Sequence, residues 1–221
     1  MDIILSAEIR RACPALRVGV LEAEVVNTPY NAALWLRIHE TETGMRQTLT
    51  TESLKLLPGI RATREAYKTL GKDPSRYRPS NEQLVRRLLQ GKELYQINTL
   101  VDINNLVSVR WGYSIGGFDV SLIQGHTLTL GVGRAGEPYE GIGRGPLNIE
   151  GLPVYRDTAG GIGTPTSDHE RTKISLTTTR LLVLINAYDG NKERLQACSE
   201  DLQALLREYA QSDGGTFRII S

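Results

Sequence analysis

Asn98, Asn104 and Asn105 fall in the stretch INTLVDINNLVSVRWGYSIGGFD, residues 97–119, which is otherwise rich in Leu, Ile and Val. An amide side chain offers two donors and an acceptor, so asparagines aimed into a cleft can hold a polar substrate. Asn98 has a simpler reading as the cap of a helix that begins near Leu100. Asn104 and Asn105 lie inside that helix, where asparagine is a mediocre former and needs another reason to be present. A second stretch, TAGGIGTPTSDHERT at residues 158–172, combines Gly161 and Gly163 with Thr166, Ser167, Asp168 and His169. Glycines let a backbone approach a ligand and present its N–H groups, and the short polar side chains suit the stabilisation of developing charge. An ordinary polar loop is the competing reading of this segment.

Other chemistries find less support. GVGRAG, residues 131–136, has the glycine spacing of a dinucleotide loop, but EPYEGIGRGP follows it and does not start a helix readily. His39, His126 and His169 lack metal-ligand spacing, and Cys13 and Cys198 stand far apart with no neighbouring ligand. No G-x-S-x-G elbow is present. The reading is therefore no cofactor, no metal and two separate thiols.

The elements that must position these residues can be read from periodicity. Residues 14–26 alternate into a strand between Pro14 and the NTPYN turn. The stretch after Pro29 has helical spacing and predicts a helix packed on the sheet, and a second helix starts at Pro58 and stops at Gly71. RPSNEQLVRRLLQG predicts a helix capped by Ser80, with Gln83 three residues on, one face of Leu84, Val85, Leu88 and Leu89, and an end at Gly91. From residue 118, short runs separated by glycine predict strands at HTLTLGV, LPVYRD, RTKISLTT and RLLVLINAY. An amphipathic helix over 191–210 and a strand TFRII close the chain. Helices followed by strands point to an α+β fold rather than repeated βαβ units.

The length suits one domain, and no segment has the roughly 18 apolar residues of a membrane span. An acidic second residue and early charges argue against a signal peptide, so the cytoplasm is the expected compartment, with no membrane partner. The net charge of +1 conceals an asymmetry: residues 55–92 hold ten Lys or Arg against three acids, so this segment is +7 and the rest −6. Arg61, Arg64, Lys68, Arg86 and Arg87 are the candidates for contacting a polyanion, against the alternative of a solvated helix surface.

The stretch from Ile97 to Asp119 resembles the signature of the B3/B4 editing domain in the beta subunit of bacterial phenylalanyl-tRNA synthetase, with Ile97, Asn98, Val101, Asp102, Asn105, Gly112, Phe118 and Asp119 in register. GRAGEPYEGIG and TAGGIG resemble further segments of the same family, so the likeness covers roughly residues 80–190. It implies one B3/B4-like domain over 1–221, with a strand and helices in 1–78, an editing-like core in 79–190 and a closing helix and strand in 191–221. It implies mixed or antiparallel sheets, barrel-like or layered, with helices on one side. The family hydrolyses the ester of a mischarged aminoacyl-tRNA, so the resemblance implies a free-standing deacylase with tRNA, not DNA, as partner. The alternative is a non-catalytic tRNA or amino-acid binding module of the same fold.

Under this resemblance, Asn104, Asn105, Gly116, Gly161, Gly163, Thr166, Asp168 and His169 are the substrate-binding candidates. Asn104 replaces a family threonine, Gly116 replaces a histidine, and Leu184 falls at or near a glutamate that helps recognise tyrosine. A pocket without those polar groups should not favour tyrosine, because a buried phenol would lack a partner. The expected substrate carries a smaller or more apolar aminoacyl group, with Asp168 or His169 in a polar role.

Overall fold

A computed structural model describes residues 1–221. The chain opens with strand β1 (Asp2–Leu5) and helix α1 (Ala7–Ala12), neither of which was expected from the sequence. Strand β2 (Arg17–Glu24) leads into helices α2 (Ala32–Thr48), α3 (Thr51–Leu54), α4 (Pro58–Thr69), α5 (Ser80–Leu89) and α6 (Thr99–Trp111). Strands β3 (Ser114–Asp119), β4 (Thr127–Val132), β5 (Glu140–Gly141), β6 (Gly145–Pro146), β7 (Pro153–Asp157), β8 (Gly160–Gly163) and β9 (Arg180–Ala187) follow. Helix α7 (Lys192–Tyr209) and strand β10 (Thr216–Ile220) end the chain.

The fold is α+β, built on two open four-stranded sheets and not on a closed barrel. One sheet has the order β1-β4-β7-β8, with β1 parallel to β4 and the other pairs antiparallel. The other, β10-β2-β9-β3, is antiparallel throughout. Val18, Val20, Phe118, Leu182 and Leu184 of the second sheet meet Leu128, Leu130, Tyr155 and Ile162 of the first in one core. Leu21, Leu181, Val183 and Ile185 face a larger core with α2, α5, α6 and α7. Buried on both faces, β9 reads as the unbroken apolar run RLLVLINA rather than as an alternation.

Four local expectations need correction. Pro79, not Ser80, occupies the cap position of α5 and no side chain caps it; the Ser80 N–H donates to Pro165 O instead. RTKISLTT is not a strand: residues 170–172 form a 3₁₀ turn, Lys173 makes a single bridge to Phe118, and the Ser175 N–H donates to Thr178 Oγ1 in a side-chain turn. Helix α2 packs chiefly on α5 and α6, because those helices already cover the face of the sheet it would need. TAGGIG is not a loop open to a ligand: Asp157 Oδ1 accepts the Ala159 and Gly160 N–H groups to make a tight turn, and the glycines enter β8.

Candidate functional site

A cleft of about 390 Å³ opens along α5. Arg78, Gln83, Arg86, Arg87 and Lys92 line it from α5 and its flanks, Asn105 from α6, Arg144 from the β5–β6 hairpin, and Thr166 and Ser167 from the segment after β8. Five cations and no carboxylate face this space, so it carries a positive field. Glu82 lies beneath the cleft, wholly buried, and holds Arg64 and Arg86 at 2.8 Å and Arg78 at 3.6 Å. One buried carboxylate cannot neutralise three guanidinium groups, and it orients Arg86 while leaving net charge to the solvent side. Arg87 stacks over the Tyr95 ring at 3.8 Å, and Arg144 donates to the Gln83 side-chain oxygen.

The three asparagines separate into three roles. Asn98 caps α6 by accepting the Val101 N–H at 3.1 Å, and Gly112, at φ 70°, ends the helix. Asn104 is buried against Gly117, and its Oδ1 has no hydrogen-bond partner. Asn105 alone reaches the cleft wall. The motif's aspartates serve the fold. Asp102 accepts from Trp35 Nε1 at 2.9 Å and from the Ile97 N–H at 3.0 Å, and burial pushes its carboxyl up. Asp119 accepts from Ser121 and Thr178.

The glycines are filled by neighbouring rings. A Cβ on Gly116 would stand 2.8 Å from the Phe118 ring, one on Gly163 2.5 Å from it, and one on Gly161 2.9 Å from Tyr139. These positions are small because side chains of this chain occupy the space, which corrects their reading as ligand-facing backbone. Gly116 is paired in register with Leu184, which is wholly buried, so the two positions lie side by side on β3 and β9.

Asp168 lies against both Gly116 and Gly163, with Oδ1 about 3.2 and 3.0 Å from their hypothetical Cβ positions. Its Oδ2 accepts the Gly117 N–H at 3.1 Å on the open edge of β3, and no cation pairs with it. The residue keeps some surface while its carboxyl is packed away from water, and that burial pushes the carboxyl up to about 7, offset in part by the Gly117 hydrogen bond. His169 is less available: its Nδ1 accepts the Arg171 N–H at 3.0 Å, and its ring meets Tyr139 edge-on at 4.8 Å. Burial and Arg171 lower its pKa, so the ring is a neutral cap for its own turn. Thr166 Oγ1 is held between Tyr67 OH at 2.8 Å and Tyr77 O at 2.9 Å.

Of the expected polyanion contacts, Arg86 and Arg87 reach the cleft. Arg64 is spent on Glu82 and on Pro74 O, and Arg61 and Lys68 lie on α4 outside the cleft, Lys68 paired with Glu65. Arg78, Lys92, Tyr95 and Arg144 were missed. The first two stood in the counted basic segment, whereas Arg144 comes from a hairpin 61 residues from Gln83 and gave no signal along the chain. Cys13 and Cys198 are both buried free thiols. No three His, Cys, Asp or Glu side chains gather as a metal site, and no helix is long and apolar enough to cross a membrane.

A search of curated proteins gives no match. Among solved structures, the chain is similar to the crystal structure of an N-terminal fragment of the phenylalanyl-tRNA synthetase beta subunit from Pyrococcus horikoshii, with a TM-score of 0.45 and 11% identity. That alignment covers 99% of this chain and 50% of the other, so the chain spans half the length of the fragment. The B3/4 domain matches residues 62–211, a span that holds α5, α6, both sheet edges at β3 and β8, and the whole cleft lining. This chain belongs to the B3/4 domain family.

Proposed function

We propose that this protein hydrolyses the ester of a mischarged aminoacyl-tRNA, and that it acts on its own domain's cleft with tRNA as the partner. The observation that carries the reading is the cleft itself: Asn105 shares a solvent space with Arg78, Arg86, Arg87, Lys92 and Arg144 and with no acid. Phosphates supply the charge such a surface attracts, and an amide beside them can hold an acyl carbonyl. In this reading the Asn105 amide donates to the oxyanion that forms when water attacks the ester carbon. The proton of that water passes to the leaving ribose oxygen; Asp168, whose carboxyl is packed against Gly116, Gly117 and Gly163 and does not line the cleft, has no part in the transfer. The ester C–O bond breaks, and the products are a free amino acid and an uncharged RNA.

The exclusion of tyrosine and the preference for a smaller or more apolar aminoacyl group rest on the resemblance alone, in which Gly116 stands for a histidine and Leu184 for a glutamate, since neither residue lines the cleft. We also infer one domain over residues 1–221, since β1 pairs with β4 and β2 lies between β9 and β10. One observation favours a second reading, a binding module without catalysis: Phe118 fills the space at Gly116 and Gly163 beside Asp168. A panel of tRNAs mischarged with different amino acids separates the two. Selective release of one small or apolar amino acid supports the hydrolase, binding without release supports the module, and selective release of tyrosine overturns the pocket argument.

A further inference from the structure

We infer that Tyr95 and Arg87 form a stacking seat for an unpaired nucleobase, so that the cleft takes a single-stranded RNA end rather than a duplex. The inference rests on the RNA-directed reading above and adds the form of nucleic acid that the cleft recognises. Tyr95 is 53% exposed, a large ring left at the surface on a cleft otherwise lined mainly by polar and charged groups. Arg87 covers one face of the ring at 3.8 Å, and this contact holds the ring in place while leaving the rest of its surface open. Arg87 Nε is itself fixed by Glu93 O, which leaves its two terminal nitrogens without a protein acceptor. A base that stacks on Tyr95 thus brings its phosphate next to a pre-set guanidinium, with Lys92 and Arg144 on the same cleft.

The surrounding groups suit one strand. A duplex keeps its bases stacked on one another and offers a protein its grooves and backbone, whereas an unpaired base offers a free face to an aromatic ring. Gln83, Gln90 and Asn105 line the same space and carry amides that can meet the edge of a splayed base. The volume of about 390 Å³ lies in the range of small-ligand sites, which fits a nucleotide and not a helix. No carboxylate is among the residues that line the cleft.

The test measures binding of uncharged RNA, so it does not depend on hydrolysis. Fluorescence anisotropy would compare a hairpin bearing an unpaired 3′ tail with the same hairpin cut blunt, for the full chain and for Tyr95→Ala and Tyr95→Phe. The expected result is tighter binding of the tailed RNA, a loss of about 5- to 150-fold for Tyr95→Ala on that RNA, and retention by Tyr95→Phe. Tyr95 is exposed, and a thermal melt confirms that each variant folds. Equal affinity for the tailed and blunt hairpins, or tail binding unaffected by Tyr95→Ala, overturns the inference. If Tyr95-dependent tail binding occurs but no aminoacyl ester is cleaved, the inference stands and the hydrolase reading fails. If ester is cleaved with the same KM by wild type and Tyr95→Ala, the inference fails and the hydrolase reading stands.

Discussion

Replacing Asp168 with asparagine should stabilise the fold at alkaline pH. The carboxyl is packed against Gly116 and Gly163 with a single donor, the Gly117 N–H, and burial lifts it from 3.8 to about 7. Below pH 4 the folded and unfolded chains both hold the proton, and the group costs no stability. As pH rises from 4 to 7 the unfolded chain releases its proton first, so stability declines, and above 7 the full cost is present. A gap of about three pH units corresponds to at most about 4 kcal/mol. Screening at this half-buried residue brings the expected effect to about 2–4 kcal/mol. Asparagine keeps an oxygen for the Gly117 N–H and cannot ionise. Urea melts at pH 4 and pH 8 should therefore show nearly equal stability for the two proteins at pH 4 and an advantage for Asp168→Asn at pH 8. A stability difference that does not change between those pH values would refute a buried, elevated carboxyl.

Three further outcomes follow from the packing. Glu82→Gln removes the charge that three guanidiniums share in a wholly buried setting, and should cost about 3–5 kcal/mol in chemical denaturation. Gly116→His, which restores the residue type of the resembling family, should cost at least 1–3 kcal/mol by differential scanning calorimetry without restoring activity toward tyrosine, because Phe118 and Asp168 hold the space. Asn98→Ala removes the cap of α6 and should lower stability by about 1 kcal/mol in urea melts, with little effect on RNA affinity.

Local grammar was readable where one residue decides the outcome. Asn98 capped the helix it was expected to cap, Gly71 and Gly91 adopt positive φ just beyond helix ends, and the apolar run of β9 was recognised as a strand. The capping assignment at Ser80 failed because Pro79 takes the cap position and Asn81 and Glu82, buried in the first turn, do polar work that a hydrophobic pattern does not register. RTKISLTT alternates like a strand, but its hydroxyls close a turn instead. At the site, Asn105 was singled out from Asn104 and reaches the cleft, although the glycines misled. A glycine facing a ligand and one facing a phenylalanine ring look the same along the chain, and only the position of Phe118 separates them. Arg144 depends on a hairpin folding back over α5, a contact with no local trace in sequence.

The most direct measurement is single-turnover deacylation by wild type and Asn105→Ala of the mischarged tRNA that the panel selects. If the amide stabilises the oxyanion, Asn105→Ala should lower the rate by about 100- to 1000-fold with an unchanged melting temperature, since the residue lies on the cleft wall and not in the core. A variant that cleaves at the wild-type rate, or that loses activity only in proportion to loss of fold, would contradict the account.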